Sequence, residues 1–281
     1  MRKGEMAKLA VLAIHGIGET RRGYSQQLEK HLRRAIGKKV SDELCFVEID
    51  YQQHLQDNQD RLWKRIRPGL RWIFIRRFLL SYFGDAAAVL YHSRELDSIY
   101  LKVQRTIHDA AAQALGQLED SERPVVIIAQ SLGCQTISSY LWDAQHRKGI
   151  WALQHATSHT ESPEREAFLK LSTSRYFLTT GCNIPLIVSG LTNVTPIDRP
   201  GPHFRWLNYY DQDDPLGWPL KDLYSYSSTS ARPEDVVVNV GNPFISWNPL
   251  AHGAYWTSAS FIRPAAKLIG DLLSYSHLQG R

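Results

Sequence analysis

Residues 125–129, Val-Val-Ile-Ile-Ala, are apolar at every position, and the run stops at Gln130-Ser131-Leu132-Gly133 before a stretch with helical spacing. A short segment with no polar alternation suits a strand covered on both faces, as inside a parallel sheet between two helical layers. The same punctuation recurs along the chain. Strands are expected at 9–15, 44–51, 125–129, 176–180, 205–210 and 236–240, and helices at 23–36, 96–118, 131–146 and 254–274. Residues 149–163 read as polar loop, and Pro264 marks either a kink in the last helix or its true start. Strand-helix alternation over 281 residues implies the α/β class: one domain, 1–281, with a single doubly wound, mostly parallel sheet flanked by helices.

Bulk properties exclude several alternatives. The three cysteines, Cys45, Cys134 and Cys182, are far apart and odd in number, so a disulfide framework is not expected and a reducing, cytoplasmic compartment is. The first residues place basic side chains before a short apolar run that leads straight into His15-Gly16-Ile17-Gly18. That pattern reads as a first strand rather than a targeting segment, and no run is long enough to span a membrane. The net charge of +5 is concentrated: Arg61, Lys64, Arg65, Arg67, Arg71, Arg76 and Arg77 lie between Asp60 and Asp85 with no acidic residue among them. Setting those seven aside leaves the rest of the chain at −2, which argues against general nucleic-acid binding.

Ligands of such sheets sit beyond the carboxyl ends of the strands, so the loops that follow strands carry the candidates. In His15-Gly16-Ile17-Gly18, two glycines let backbone approach a ligand and turn N–H groups outward, as an oxyanion site requires; a plain glycine turn would look the same. In Ala129-Gln130-Ser131-Leu132-Gly133, small residues lie two before and two after the serine, the demand of a nucleophile elbow, and the Leu132 N–H opens the next helix. Serine capping that helix is the alternative. The loop Asp211-Gln212-Asp213-Asp214-Pro215 offers carboxylates to orient a histidine, Asp214 first and Asp211 second; solvated turn and cation site are its other readings. His252, in Ala251-His252-Gly253, is the candidate base.

Taken together, these four loops resemble the α/β-hydrolase superfamily, in particular its lipase- and esterase-like serine hydrolases. Ser131, Asp214 and His252 follow that family's chain order, with intervals of 83 and 38 residues. The resemblance implies an acyl-enzyme reaction on a carboxylic ester: Ser131 as nucleophile, His252 as base, Asp214 as its partner, and an oxyanion hole from the Ile17 and Leu132 N–H groups. It implies no metal and no organic cofactor. Ala129 stands where glycine is usual, and Gln130 where histidine is frequent.

The segment 61–83, RLWKRIRPGLRWIFIRRFLLSYF, interleaves the seven cations with Leu62, Trp63, Ile66, Leu70, Trp72, Ile73, Phe74, Phe78, Leu79 and Phe83. Pro68-Gly69 should split it into two short helices, within an insertion at about 57–95. In a hydrolase it resembles a lid, and its basic face suits anionic lipid headgroups, so a small-molecule or lipid ester is the expected substrate and peripheral membrane contact through 61–83 an expected partner. An ordinary amphipathic core helix accounts for the same pattern. Two other functions fit the sequence: a non-catalytic hydrolase-fold protein that binds a membrane surface or partner through this segment, and an acyltransferase using the same three residues.

Overall fold

Six strands form one sheet in the order β2-β1-β3-β4-β5-β6, with all five pairings parallel. They are β1 (Leu9–Ile14), β2 (Leu44–Ile49), β3 (Val125–Gln130), β4 (Ser174–Thr180), β5 (Arg205–Tyr210) and β6 (Pro233–Val237). The helices are α1 (Gln26–Ile36), α2 (Lys38–Ser41), α3 (Gln56–Ile66), α4 (Ile73–Leu90), α5 (Ile99–Leu115), α6 (Leu132–His146), α7 (Ile150–Thr157), α8 (Pro163–Leu169), α9 (Ile184–Val188) and α10 (Ala259–Gln279). The structure is a computed structural model that describes residues 6–16, 23–90, 98–157, 162–190, 194, 196–223, 230–240 and 251–279.

The continuous apolar character of the strands follows from cover on both faces. Alternate residues of β1 and β3 point to opposite layers. Leu12, Ile14, Ile127 and Ala129 pack with Val103 and Ile107 of α5 and Ile137 and Tyr140 of α6. Leu9, Val11, Val126 and Ile128 pack with Leu28 and Leu32 of α1 and Phe261, Ile269 and Leu273 of α10. The sheet is thus doubly wound, its direction of growth reversing between β1 and β3. Register brings the strand ends level: Ile14 pairs Ala129, Ala129 pairs Thr179, and Thr179 pairs Asn208. His15, Ser131, Gly181 and Asp211 therefore emerge at one edge.

Several boundaries differ from expectation for identifiable reasons. Residues 150–157 form α7 rather than loop, because Ile150 and Trp151 insert into the core and Trp151 meets Tyr140 edge-on at 5.6 Å. The last strand begins at Pro233, where a residue without N–H is tolerated at the start of an edge strand. It ends at Val237, because the Val240 N–H is taken out of the ladder by the Asp211 carboxylate at 2.6 Å. The final helix starts at Ala259, after 3-10 turns at Ala251–Gly253 and Tyr255–Thr257, and holds Pro264 inside it. Buried Phe261, Ala265 and Ile269 fix that helix to the sheet and offset the lost backbone bond.

The 57–95 segment is helical as expected, but its second helix is long, at 18 residues. It forms a hairpin arm, α3 and α4 joined through Pro68-Gly69. The arm is rooted in polar contacts: buried Asp85 accepts hydrogen bonds from Gln52 and Gln59, and Arg77 pairs with Asp60 across the two helices. The end of the insertion at about 95 falls outside the described residues, as do the side chains of Phe74 and Phe78. No described helix is long and apolar enough to cross a membrane.

Candidate active site

Ser131 is the single residue between β3 and α6, and its backbone sits at φ 52°, ψ −123°, a conformation ordinarily left to glycine. Holding a serine there costs on the order of 1–3 kcal/mol and needs firm surroundings. These are present. The Ser131 N–H donates to the Thr180 carbonyl at 3.0 Å, extending the β3–β4 ladder through the turn. A Cβ on Gly133 would lie 2.4 Å from the His15 carbonyl oxygen, and one on Gly16 2.4 Å from the Ser131 Cβ, so both positions must be glycine for the loops to close. Ala129, buried in β3, fits where glycine was usual. The Ser131 side chain makes no helix cap: its Oγ accepts a long 3.5 Å hydrogen bond from the Asn183 amide instead.

His252 lies in the 3-10 turn Ala251–Gly253, and its Nδ1–H donates to Asp214 Oδ2 at 2.9 Å. That bond fixes the tautomer and leaves Nε2 as an acceptor; Nε2 is buried and has no hydrogen-bond partner. The ring is held against β4's exit. Gly181, at φ 51°, approaches so closely that a Cβ there would come within 2.9 Å of His252 Cε1. The Gln130 side chain donates to the His252 carbonyl at 2.6 Å, tying the turn to the residue before Ser131. Ser131 and His252 thus share the neighbouring Thr180-Gly181 backbone.

Asp214 is buried, and burial alone would raise its pKa. The hydrogen bond and charge of His252, the Leu216 N–H and the Tyr255 hydroxyl outweigh that and hold it below the usual carboxylate value. The Tyr255 hydroxyl is a relay: it accepts from the Asp211 N–H at 3.0 Å and donates to Asp214 Oδ2 at 2.9 Å. Burial and the Asp214 charge push the Tyr255 pKa up, so it remains a donor.

Of the two carboxylates that competed for this place, Asp214 meets the histidine. Asp211 instead accepts from the N–H groups of Asp213 and Val240, and so shapes the loop. Among the described residues no group of three or more His, Cys, Asp or Glu is arranged to hold a metal ion.

Leu132 is the first residue of α6, directly after Ser131. Ile17 lies outside the described residues, but His15 and Gly16 before it are fixed. The His15 ring stacks on Tyr51 at 4.5 Å, and the Tyr51 hydroxyl donates to both the His15 and Gly16 carbonyls at 3.2 Å. Burial pushes the His15 pKa down to about 4, against smaller upward pulls from the Gly16 carbonyl and Glu48, so the ring is neutral at pH 7.

Asn183, Gln130 and Tyr255 had no expected roles. Asn183 had a signal, since it follows β4 and loops after strands were the place to look. Gln130 and Tyr255 act through fold-dependent contacts that no local pattern marks. Neither protein-family models nor curated proteins give a match to the chain.

Proposed function

We propose that the protein is a serine hydrolase of the α/β-hydrolase type, cleaving carboxylic esters through an acyl-enzyme. The carrying observation is the strained backbone of Ser131 at a strand-to-helix turn, on the same sheet edge as a histidine whose Nδ1 is anchored to a buried carboxylate. Strain of this kind persists where a side chain must be presented at a fixed angle, and a helix cap would not need it.

In this reading Ser131 Oγ attacks the ester carbonyl while His252 Nε2 takes its proton. The proton passes to the departing alkoxide, leaving Ser131 acylated. Water then enters, His252 removes its proton, and the acid leaves as Ser131 regains a hydrogen. Asp214 stays ionised throughout and stabilises the imidazolium. The N–H groups of Leu132, at the N-terminus of α6, and of Ile17 serve the oxyanion. No step calls for a metal or organic cofactor. The α3–α4 arm is read as lid-like, since it is rooted at Gln52, next to the Tyr51 that holds the His15-Gly16 loop. The free, buried cysteines suit a reducing, cytoplasmic setting.

A fluorophosphonate probe should label the protein, and Ser131→Ala should lose the label. A panel of p-nitrophenyl esters of increasing chain length then reports acyl preference. Undiminished labelling of the alanine variant sinks the assignment.

A further inference from the structure

The α3–α4 arm carries seven of the twelve large apolar side chains that stand exposed among the described residues. On α4 they are not scattered. Ile75, Leu79 and Phe83 recur at steps of four along one side of α4, Ile73 is exposed in its first turn, and Trp72, just before the helix at φ 58°, is 74% exposed. Leu62 and Ile66, one helical turn apart on α3, add to them. Lys64, Arg65, Arg67, Arg71 and Arg76 are exposed around these residues, and no acidic residue lies between Asp60 and Asp85. The base of the arm is the opposite: Gln52, Leu55, Ser81 and Asp85 are buried.

Exposed apolar side chains in this number, with Trp72 and Ile75 near the end of the arm and Leu79 one helical turn behind Ile75, mark a contact surface. Its surroundings select the partner. A second copy of the chain docked through a two-fold axis would set this cationic surface against itself. A nucleic-acid backbone would match the charge but leave the aliphatic and aromatic side chains unused. An anionic bilayer meets both demands: headgroup phosphates for the cations, acyl boundary for the apolar side chains.

We infer that the α3–α4 arm is a peripheral membrane anchor, which inserts Trp72, Ile75 and Leu79 at the acyl boundary of an anionic phospholipid surface while Arg71 and Arg76 contact headgroups. The rooting of the arm by Asp85 and by the Arg77–Asp60 pair lets it dock as a preformed element. The inference does not depend on ester hydrolysis, and Ser131→Ala should dock as the unaltered chain does.

The test is sedimentation of the full chain with phosphatidylcholine vesicles with and without phosphatidylserine, with circular dichroism to check each variant's fold. The unaltered chain should sediment with the phosphatidylserine vesicles and stay in solution with phosphatidylcholine alone. Arg71→Glu with Arg76→Glu should weaken partitioning on the order of tenfold or more. Trp72→Ser with Leu79→Ser should weaken it at every salt concentration, because it removes apolar insertion rather than charge. Absence of sedimentation with phosphatidylserine vesicles, or equal sedimentation of the glutamate variant, overturns the inference. So does light scattering that shows a dimer which the serine variant dissociates, or a soluble nucleic acid that binds the arm with no vesicle binding.

Discussion

The carboxyl edge of the sheet and the α3–α4 arm depart from the usual partition of side chains in opposite directions. At the edge, Ser131, Asn183, Asp211 and Asp214 are polar and buried; on the arm, Trp72, Ile75 and Leu79 are apolar and exposed. Buried polar groups must find their partners inside the molecule, and a chain running from the Asp211 N–H to Tyr255, Asp214 and His252 Nδ1 supplies them, leaving His252 Nε2 as the group still to be met. Exposed apolar groups can only find theirs outside. The difference separates a region whose polar contacts are made within the fold from one whose apolar side chains face solvent. Substitution should therefore act differently in each: at the edge on chemistry and stability together, on the arm on binding alone.

The largest effect belongs to Ser131→Ala, which should lower ester turnover by about 10⁴-fold or more while the chain stays folded. Ser131→Gly should be equally inactive yet more stable by about 1 kcal/mol, because glycine adopts the observed backbone without strain. Denaturant titration checks this, and a less stable glycine variant breaks the strain argument.

Within the edge, the two aspartates divide chemistry from stability. Asp214→Asn should reduce kcat by roughly 10³–10⁴-fold by disturbing the histidine tautomer. Asp211→Asn should instead cost about 1–2 kcal/mol of stability through the weakened bonds to Asp213 and Val240, with the proposed ester turnover of the folded protein nearly kept. Parallel kinetics and unfolding curves distinguish the two.

Stability at the edge also depends on pH. His15 has a folded pKa of about 4 against an ordinary value of 6.5, so between those values the unfolded chain binds the extra proton. Stability falls as pH drops through that window, by about 3 kcal/mol in all. His15→Phe keeps the ring beside Tyr51 but removes the titration, and should flatten that part of a stability–pH curve measured by urea unfolding. Asp214, with its lowered pKa, acts below the ordinary carboxylate range: its contribution is present above the unfolded pKa and disappears as pH falls through the folded one.

The smallest effect is on the arm. Arg71→Glu with Arg76→Glu should change neither thermal stability, beyond about 0.5 kcal/mol, nor turnover of a soluble short-chain ester, beyond about twofold. A large loss of either would break the separation between the two regions.

The fold was legible wherever a face of each element had to be apolar. The run 125–129 and the spacing of Val103, Ile107 and Ala111 announced a strand and a helix, because burial on these periods is decided locally. The end of β6 was not legible: Val238 and Val240 continue the apolar pattern, and a carboxylate from a distant loop draws the Val240 N–H out of the ladder. Helix α7 was masked by a polar stretch whose two anchors, Ile150 and Trp151, sit together at its start. At the candidate site, the residue types and their order pointed to Ser131, Asp214 and His252, and the pairing of Asp214 with His252 follows once the strands are aligned. The sequence ranks Asp214 before Asp211 but does not exclude the second. The choice turns on which carboxylate the backbone N–H groups claim, a fact of three-dimensional placement.

The strand order also governs how the chain can be assembled. Strand β1 is central, flanked by β2 and β3, yet its second neighbour begins at Val125, more than a hundred residues beyond Ile14, with the whole arm made in between. A chain emerging from the ribosome therefore holds a two-stranded half-sheet, with one flank of β1 unsatisfied, until that long span has been synthesised. Closing it brings distant segments together, which makes folding slow and the waiting strand edge a site of mispairing. Shortening the arm would change the closure entropy only logarithmically. The interval of vulnerability is set by the distance between strands, and it ends only when the strand leading into Ser131 has been made.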